Sequence, residues 1–128
     1  MYTQTLKMHD GYLAKDMPLP KDTTANGNGT PQDYSGTLGA AQVVVEAASE
    51  IALAEGKTLT VKLLHGGSMP EELGTVCTVY GGAPIGAGEV LGRFAVPTDA
   101  QPGVKALVQT SDPSASGSIS IYGEYLAR

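Results

Sequence analysis

A single cysteine, Cys77, stands among 128 residues, which excludes an intrachain disulfide and leaves the fold to burial and hydrogen bonding. In an extended run of small and apolar residues, that cysteine reads as an apolar strand position rather than a reactive thiol. Tryptophan is absent and phenylalanine occurs once. A core must therefore be built from Val, Leu, Ile and Ala, with each large aliphatic side chain contributing roughly 1.5–3 kcal/mol when fully buried. Cations are also few: eight Lys and Arg against thirteen Asp and Glu give a formal net charge of −5. They are scattered singly, whereas affinity for nucleic acid depends on clustered cations that release phosphate counterions, so no DNA or RNA partner is expected. No apolar run approaches the ~20 residues that span a bilayer, and no basic-then-apolar leader opens the chain. The expectation is a soluble protein made in a cytoplasm, with no membrane partner.

What the chain does have is turn chemistry. Seventeen glycines and eight prolines are too many breakers for a helical domain, and the length suits one domain. Met1 to Ala40 show no sustained hydrophobic period. They carry breaker clusters at Pro18-Leu19-Pro20, Asn26-Gly27-Asn28-Gly29 and Thr30-Pro31. This stretch, residues 1–40, reads as an extended N-terminal arm. Its scattered apolar residues are too numerous for a pure solvent linker, so it is expected to lie on a surface, its own or a neighbour's, with a disordered tail over Met1 to Asp33 as the equal alternative.

From Ala41 the character changes to short β-rich runs separated by turns. Strands are expected at Ala41–Ala47, Lys57–Leu64, Thr75–Gly81, Glu89–Pro97, Gly103–Ser111 and Gly117–Tyr125. Period-two alternation is clearest where Leu59, Val61 and Leu63 interleave with Thr58, Thr60 and Lys62, and again at Ile119 and Ile121. Ser49 to Glu55 reads as a turn or short helical crossing, since helix formers there follow the β-branched run Val43-Val44-Val45. With no alternation of strands and helices, the fold class is all-β: a two-sheet antiparallel sandwich of jelly-roll type over residues 41–128, preceded by the arm.

No motif assembles a catalytic, cofactor or metal site. Glu55-Gly56-Lys57-Thr58 resembles the end of a phosphate-binding loop, but Ile51 stands where its first glycine is needed. Pro84 breaks the dinucleotide pattern in the glycine-rich run 81–88, which reads as a flexible loop. His9 and His65 lack metal-ligand spacing, and His65 reads as a solvated turn histidine. Glu71 and Glu72 are adjacent, so their side chains point apart and read as surface charges. Asn28-Gly29-Thr30 fits a glycosylation pattern without the secretory context that would give it meaning. No enzyme activity is expected.

Three segments carry a resemblance. Thr58-Leu59-Thr60-Val61-Lys62-Leu63-Leu64, then Gly92 to Pro97 followed by Gly103 to Gln109, and finally Gly117 to Tyr125 resemble, in that order, the strands of the jelly-roll decoration (cement) proteins of tailed-bacteriophage capsids. The resemblance covers about residues 36–128; the long first segment departs from it. It implies a non-enzymatic protein on the outer surface of an icosahedral virion. Its partners would be the major capsid protein and itself, as a homodimer or homotrimer. On physical grounds the arm suits docking onto a neighbour's sheet edge or groove, and its apolar residues Tyr2, Leu6, Met8, Tyr12, Leu13 and Met17 are the expected protein-interaction residues. A carbohydrate-binding jelly-roll module is the alternative, weakened by the lack of aromatic platforms beyond six tyrosines.

Overall fold

The computed structural model describes residues 5–34, 41–67, 70–97 and 100–126, with side chains described from Tyr12 to Tyr125 within those spans. Eight strands form among them: β1 (Thr5–Pro18), β2 (Thr24–Asn26), β3 (Ala41–Ala47), β4 (Thr58–His65), β5 (Glu71–Tyr80), β6 (Val90–Ala95), β7 (Lys105–Thr110) and β8 (Ser118–Leu126). They make two antiparallel sheets of four, in the orders β1-β8-β3-β6 and β2-β7-β4-β5. Each strand of the first half pairs with its mirror in the second: β1 with β8, β2 with β7, β3 with β6 and β4 with β5. No helix occurs among the described residues.

One core lies between the sheets. Val43, Val45, Ile119 and Ile121 from the first sheet meet Leu59, Val61, Leu63, Ala106 and Val108 from the second, all fully buried. These are the residues whose alternation marks one face of each strand, so the pattern places the core without help from aromatics. The segment after β3 forms no helical crossing: it bends at residues 48–49, runs extended through 51–52 and turns at Glu55-Gly56 before β4. Ile51 bridges to Ile85 and Ala52 to Ser116, so residues 51–52 and the glycine-rich run 81–88 are each tied into the body of the sandwich.

The two long sides of the sandwich are closed differently. On one side β5 and β6 pack directly against each other, because glycines remove the side chains that would hold them apart. A Cβ on Gly92 would lie 2.6 Å from Cys77 Cβ and 2.8 Å from the Val76 carbonyl oxygen. On the other side the chain crosses from β1 to β2 and stitches back. Gly29 N–H donates to Leu13 O (2.9 Å), Thr30 N–H to Tyr12 O (3.2 Å) and Gly27 N–H to Ala106 O (2.9 Å). Any side chain at position 27 or 29 would collide with the carbonyl oxygens of Leu13 and Tyr12 respectively.

Residues 5–34 thus depart from an extended arm. Within residues 1–40, β1 is an edge strand of one sheet and β2 an edge strand of the other, and Leu13, Ala14, Met17, Leu19 and Tyr34 are buried in the core. The reason the pattern conceals this is geometric. The pairing of β1 with β8 shifts register between Lys7 and Tyr12, between Tyr12 and Ala14, and between Ala14 and Met17. Each bulge breaks the period of two, so inward residues fall at irregular spacing. Asp16 adds a left-handed residue (φ 47°) just before Met17, and Asp22 another (φ 51°) before β2.

Candidate docking surface

The expected interaction residues divide into three groups. Tyr2 lies outside the described residues. Leu6 and Met8 are in β1, where their side chains lie outside the described residues; the backbone of Leu6 is opposite Tyr125. Leu13 is 2% exposed and Met17 is buried beside it, so neither presents a surface to a partner while the sandwich is folded. Tyr12 is half-buried and packs edge-on against Tyr122, with ring centroids 5.8 Å apart, while the Lys15 ammonium sits 5.1 Å from the Tyr12 ring centre.

Tyr12 borders a polar cluster on the outer face of the first sheet. Val44 and Tyr122 are cross-strand partners on that face, and both are buried although they lie outside the core between the sheets. The Tyr122 hydroxyl donates to Glu46 Oε2 at 2.7 Å. Glu124 accepts from Gln42 Nε2 at 2.9 Å and from Arg93 Nη1 at 3.2 Å, both on Oε2. Burial, then the carboxylate of Glu46, drives the Tyr122 phenol well above its ordinary value. The cluster's polar groups are spent on one another, so this face is consolidated by its own side chains.

The described surface that does expose large apolar groups is the side where β5 and β6 run together. Tyr80, at the end of β5, is 74% exposed, and Val90, at the start of β6, is 41% exposed. Leu73, Val79, Leu91 and Phe94 are half-buried along the same two strands and pack onto the core. Both strands are sheet edges, yet β5 is a poor template for adding a further strand. Its pairing with β4 skips Val76 and Leu73, giving two bulges, and its first two residues are Glu71 and Glu72. Contact at this rim would run through side chains. Tyr125, 46% exposed, lies in β8 opposite Ala41, away from the rim.

The remaining candidate groups are structural in this fold. His65 ends β4 and its Nδ1 accepts the Gln101 N–H at 3.0 Å, tying two loops together. Cys77 is half-buried in β5, and burial pushes its thiol up to about 11, away from a reactive thiolate. Glu72 pairs with Lys62 at 3.4 Å on the surface. Among the described residues no group of three or more His, Cys, Asp or Glu could hold a metal ion. No helix among them is long and apolar enough to cross a membrane.

Asp112 reads in the sequence only as the start of an Asp-Pro turn, yet it organises one end of the sandwich. Oδ2 accepts the Ala54 N–H and Oδ1 the Ser114 N–H, both at 2.8 Å, and its carbonyl oxygen takes the Asp22 N–H at 3.1 Å. Asp-Pro is a turn signal, but the partners at 22 and 54 are far away in sequence. No family model matches the chain, and no curated protein or solved structure matches it.

Proposed function

We propose that the chain is a non-enzymatic decoration protein of a tailed-bacteriophage head, a jelly roll that docks on the outer surface of the major capsid protein and acts as a homodimer or homotrimer. The observation that carries this reading is the exposed apolar rim at Tyr80 and Val90, where the edge strands β5 and β6 run together. The nested strand pairing supports the jelly-roll reading: first with last, second with seventh, third with sixth, fourth with fifth. Three sequence segments that resemble cement proteins fall on β4, on β6 with β7, and on β8, which supports the same assignment.

The mode of docking differs from an arm that reaches over neighbours. Leu13 and Met17 are committed to this chain's own core, so the rim is the better contact surface. Each rim contact is small, and a symmetric oligomer on a repeating lattice multiplies it through effective concentration. A sugar-binding reading has less support, because among the described residues Tyr34 and Tyr122 are buried and Tyr12 is covered by Lys15, leaving Tyr80 and Tyr125 on different parts of the surface.

The experiment is co-sedimentation of the purified chain with empty phage heads stripped of their decoration. Saturable binding by the wild type, lost in Tyr80→Asp with Val90→Asp at unchanged Tm, is the expected result. Failure of the wild type to bind heads would remove the capsid assignment. Undiminished binding by the folded double variant would remove the rim as the docking surface.

A further inference from the structure

We propose that Asn28 is a spontaneous modification site, a deamidation site that the native stitch between β1 and residues 27–30 holds closed and that release of β1 opens.

Asn28 is followed by Gly29, the arrangement in which an asparagine is most prone to attack by the next backbone nitrogen, because glycine offers no side chain to hinder the approach. The reaction forms a bond from Gly29 N to Asn28 Cγ and breaks the bond from Cγ to Nδ2. The Gly29 N–H proton leaves with the amide as ammonia. Water then opens the resulting succinimide at one of its two carbonyls and leaves aspartate or isoaspartate at position 28. No reagent other than water is consumed.

The fold opposes every requirement of that step. Gly29 N–H is directed at Leu13 O, 2.9 Å away, so the nucleophilic nitrogen is already engaged in a hydrogen bond to β1. The side-chain amide is held at both ends by one residue of β1: Oδ1 accepts the Lys15 N–H at 2.8 Å, and Nδ2 donates to Lys15 O at 3.1 Å. The side chain thus imitates a strand partner for Lys15. Rotating Cγ onto the Gly29 nitrogen requires breaking both of those bonds and the bond to Leu13. This is also the stretch where a side chain at 27 or 29 has no room, because the backbone lies close against the carbonyl groups of Leu13 and Tyr12.

The product is incompatible with the stitch. An aspartate places a carboxylate oxygen where Nδ2 had donated, facing Lys15 O at hydrogen-bond distance with no proton between them. An isoaspartate routes the backbone through the side chain and lengthens it, which displaces Gly29 and Thr30 from their partners Leu13 and Tyr12. Either product leaves β1 less firmly attached along the side opposite the β5–β6 rim. A chain that loosens there long enough to react would not reclose to the same state, so the residue records opening of the β1 edge and makes it permanent. This inference stands on the geometry of the stitch alone and is independent of what the rim binds.

The test incubates the full chain at mildly alkaline pH with and without a denaturing concentration of guanidinium chloride. The mass gain at Asn28 is followed by peptide mass spectrometry, with Asn26, also followed by glycine, as the reference in the denatured arm. Conversion of Asn28 at least about tenfold slower in the native chain is expected, since the rate follows the population of the opened state. Equal rates in the two arms would overturn the proposal. A second measurement uses Asn28→Asp, which installs the product directly: a Tm several degrees below the wild type is expected, and an unchanged Tm would equally overturn it.

Discussion

The ring of Phe94 occupies the space that a side chain on Gly74 would need: a Cβ there would stand 2.5 Å from Phe94 Cε1 and 2.6 Å from Cζ. The two residues belong to different sheets, Gly74 to β5 and Phe94 to β6, so this contact helps close the sandwich on its rim side. The chain's one phenylalanine is thus spent on a seam between edge strands, while the centre of the core is aliphatic.

That seam predicts an order of sensitivity. Gly74→Ala should cost about 1–2 kcal/mol, because half-buried Phe94 can swing outward to relieve the overlap. Gly92→Ala should cost more, roughly 3 kcal/mol at the top of the range for overpacking, because its obstacles are the Val76 carbonyl and the Cys77 Cβ, neither of which can rotate away. Urea unfolding of the two variants measures both. Equal costs, or the reverse order, would show that the strands separate more easily than this packing implies.

Burial of the leading segment makes a second prediction. Leu13→Ala should destabilise the isolated chain by about 2–5 kcal/mol, as for any fully buried leucine, whereas Tyr80→Ala should stay within about 0.5 kcal/mol of wild type. Deleting residues 1–20 should therefore unfold the protein rather than trim a tail. The measurement is chemical denaturation of each variant without any partner present. A truncated chain that unfolds with wild-type stability would mean that β1 is dispensable to the sandwich.

The contrast between β1 and β4 explains how much of the molecule was legible in the sequence. In β4 the pairing to β7 runs without a shift, so Leu59, Val61 and Leu63 alternate strictly and declare their face. In β1 three register shifts scatter Leu13, Ala14 and Met17 over both parities, and the same burial leaves no period to read. The glycines at 27 and 29 were legible as breakers, but their purpose depends on carbonyl groups more than ten residues earlier. Asp112 was legible as the start of an Asp-Pro turn but not as an organising group, since two of the segments it gathers are distant in sequence. The rim could not be read at all: Tyr80 and Val90 carry no motif, and only the packing of β5 on β6 leaves them on one side.

Asp112 should set part of the acid limit of stability. Hydrogen bonds from the backbone of Ala54 and then of Ser114 hold its carboxyl below the usual value of 3.8, against a smaller opposing effect of burial. A depressed folded-state value means that its contribution is fully present above 3.8 and is lost as pH falls through the folded value. Asp112→Asn keeps one acceptor oxygen and loses the other, so it should melt below wild type at neutral pH. The gap should narrow as the pH drops below 3.8. Tm measured across the acid range would show this; a gap independent of pH would mean that the ionised form contributes nothing.

Tyr122 should shape the alkaline limit in the opposite sense. Its phenol is raised above the ordinary 10.0 first by burial, then by the hydrogen bond and charge of Glu46, so the folded state holds a proton that the unfolded chain releases. Its contribution is therefore complete below 10.0 and declines as pH rises from there toward the folded value. Tyr122→Phe removes a hydrogen bond to a carboxylate and should cost roughly 1.5–3 kcal/mol near neutral pH. Above 10.0 the variant should lose stability more slowly than the wild type, and the two curves should converge. Tyr34, which burial lifts to about 12, titrates in both proteins and cancels from the difference. Guanidinium unfolding of the pair at a series of alkaline pH values measures the convergence. Parallel curves would show that the bond between Tyr122 and Glu46 does not hold the proton in place.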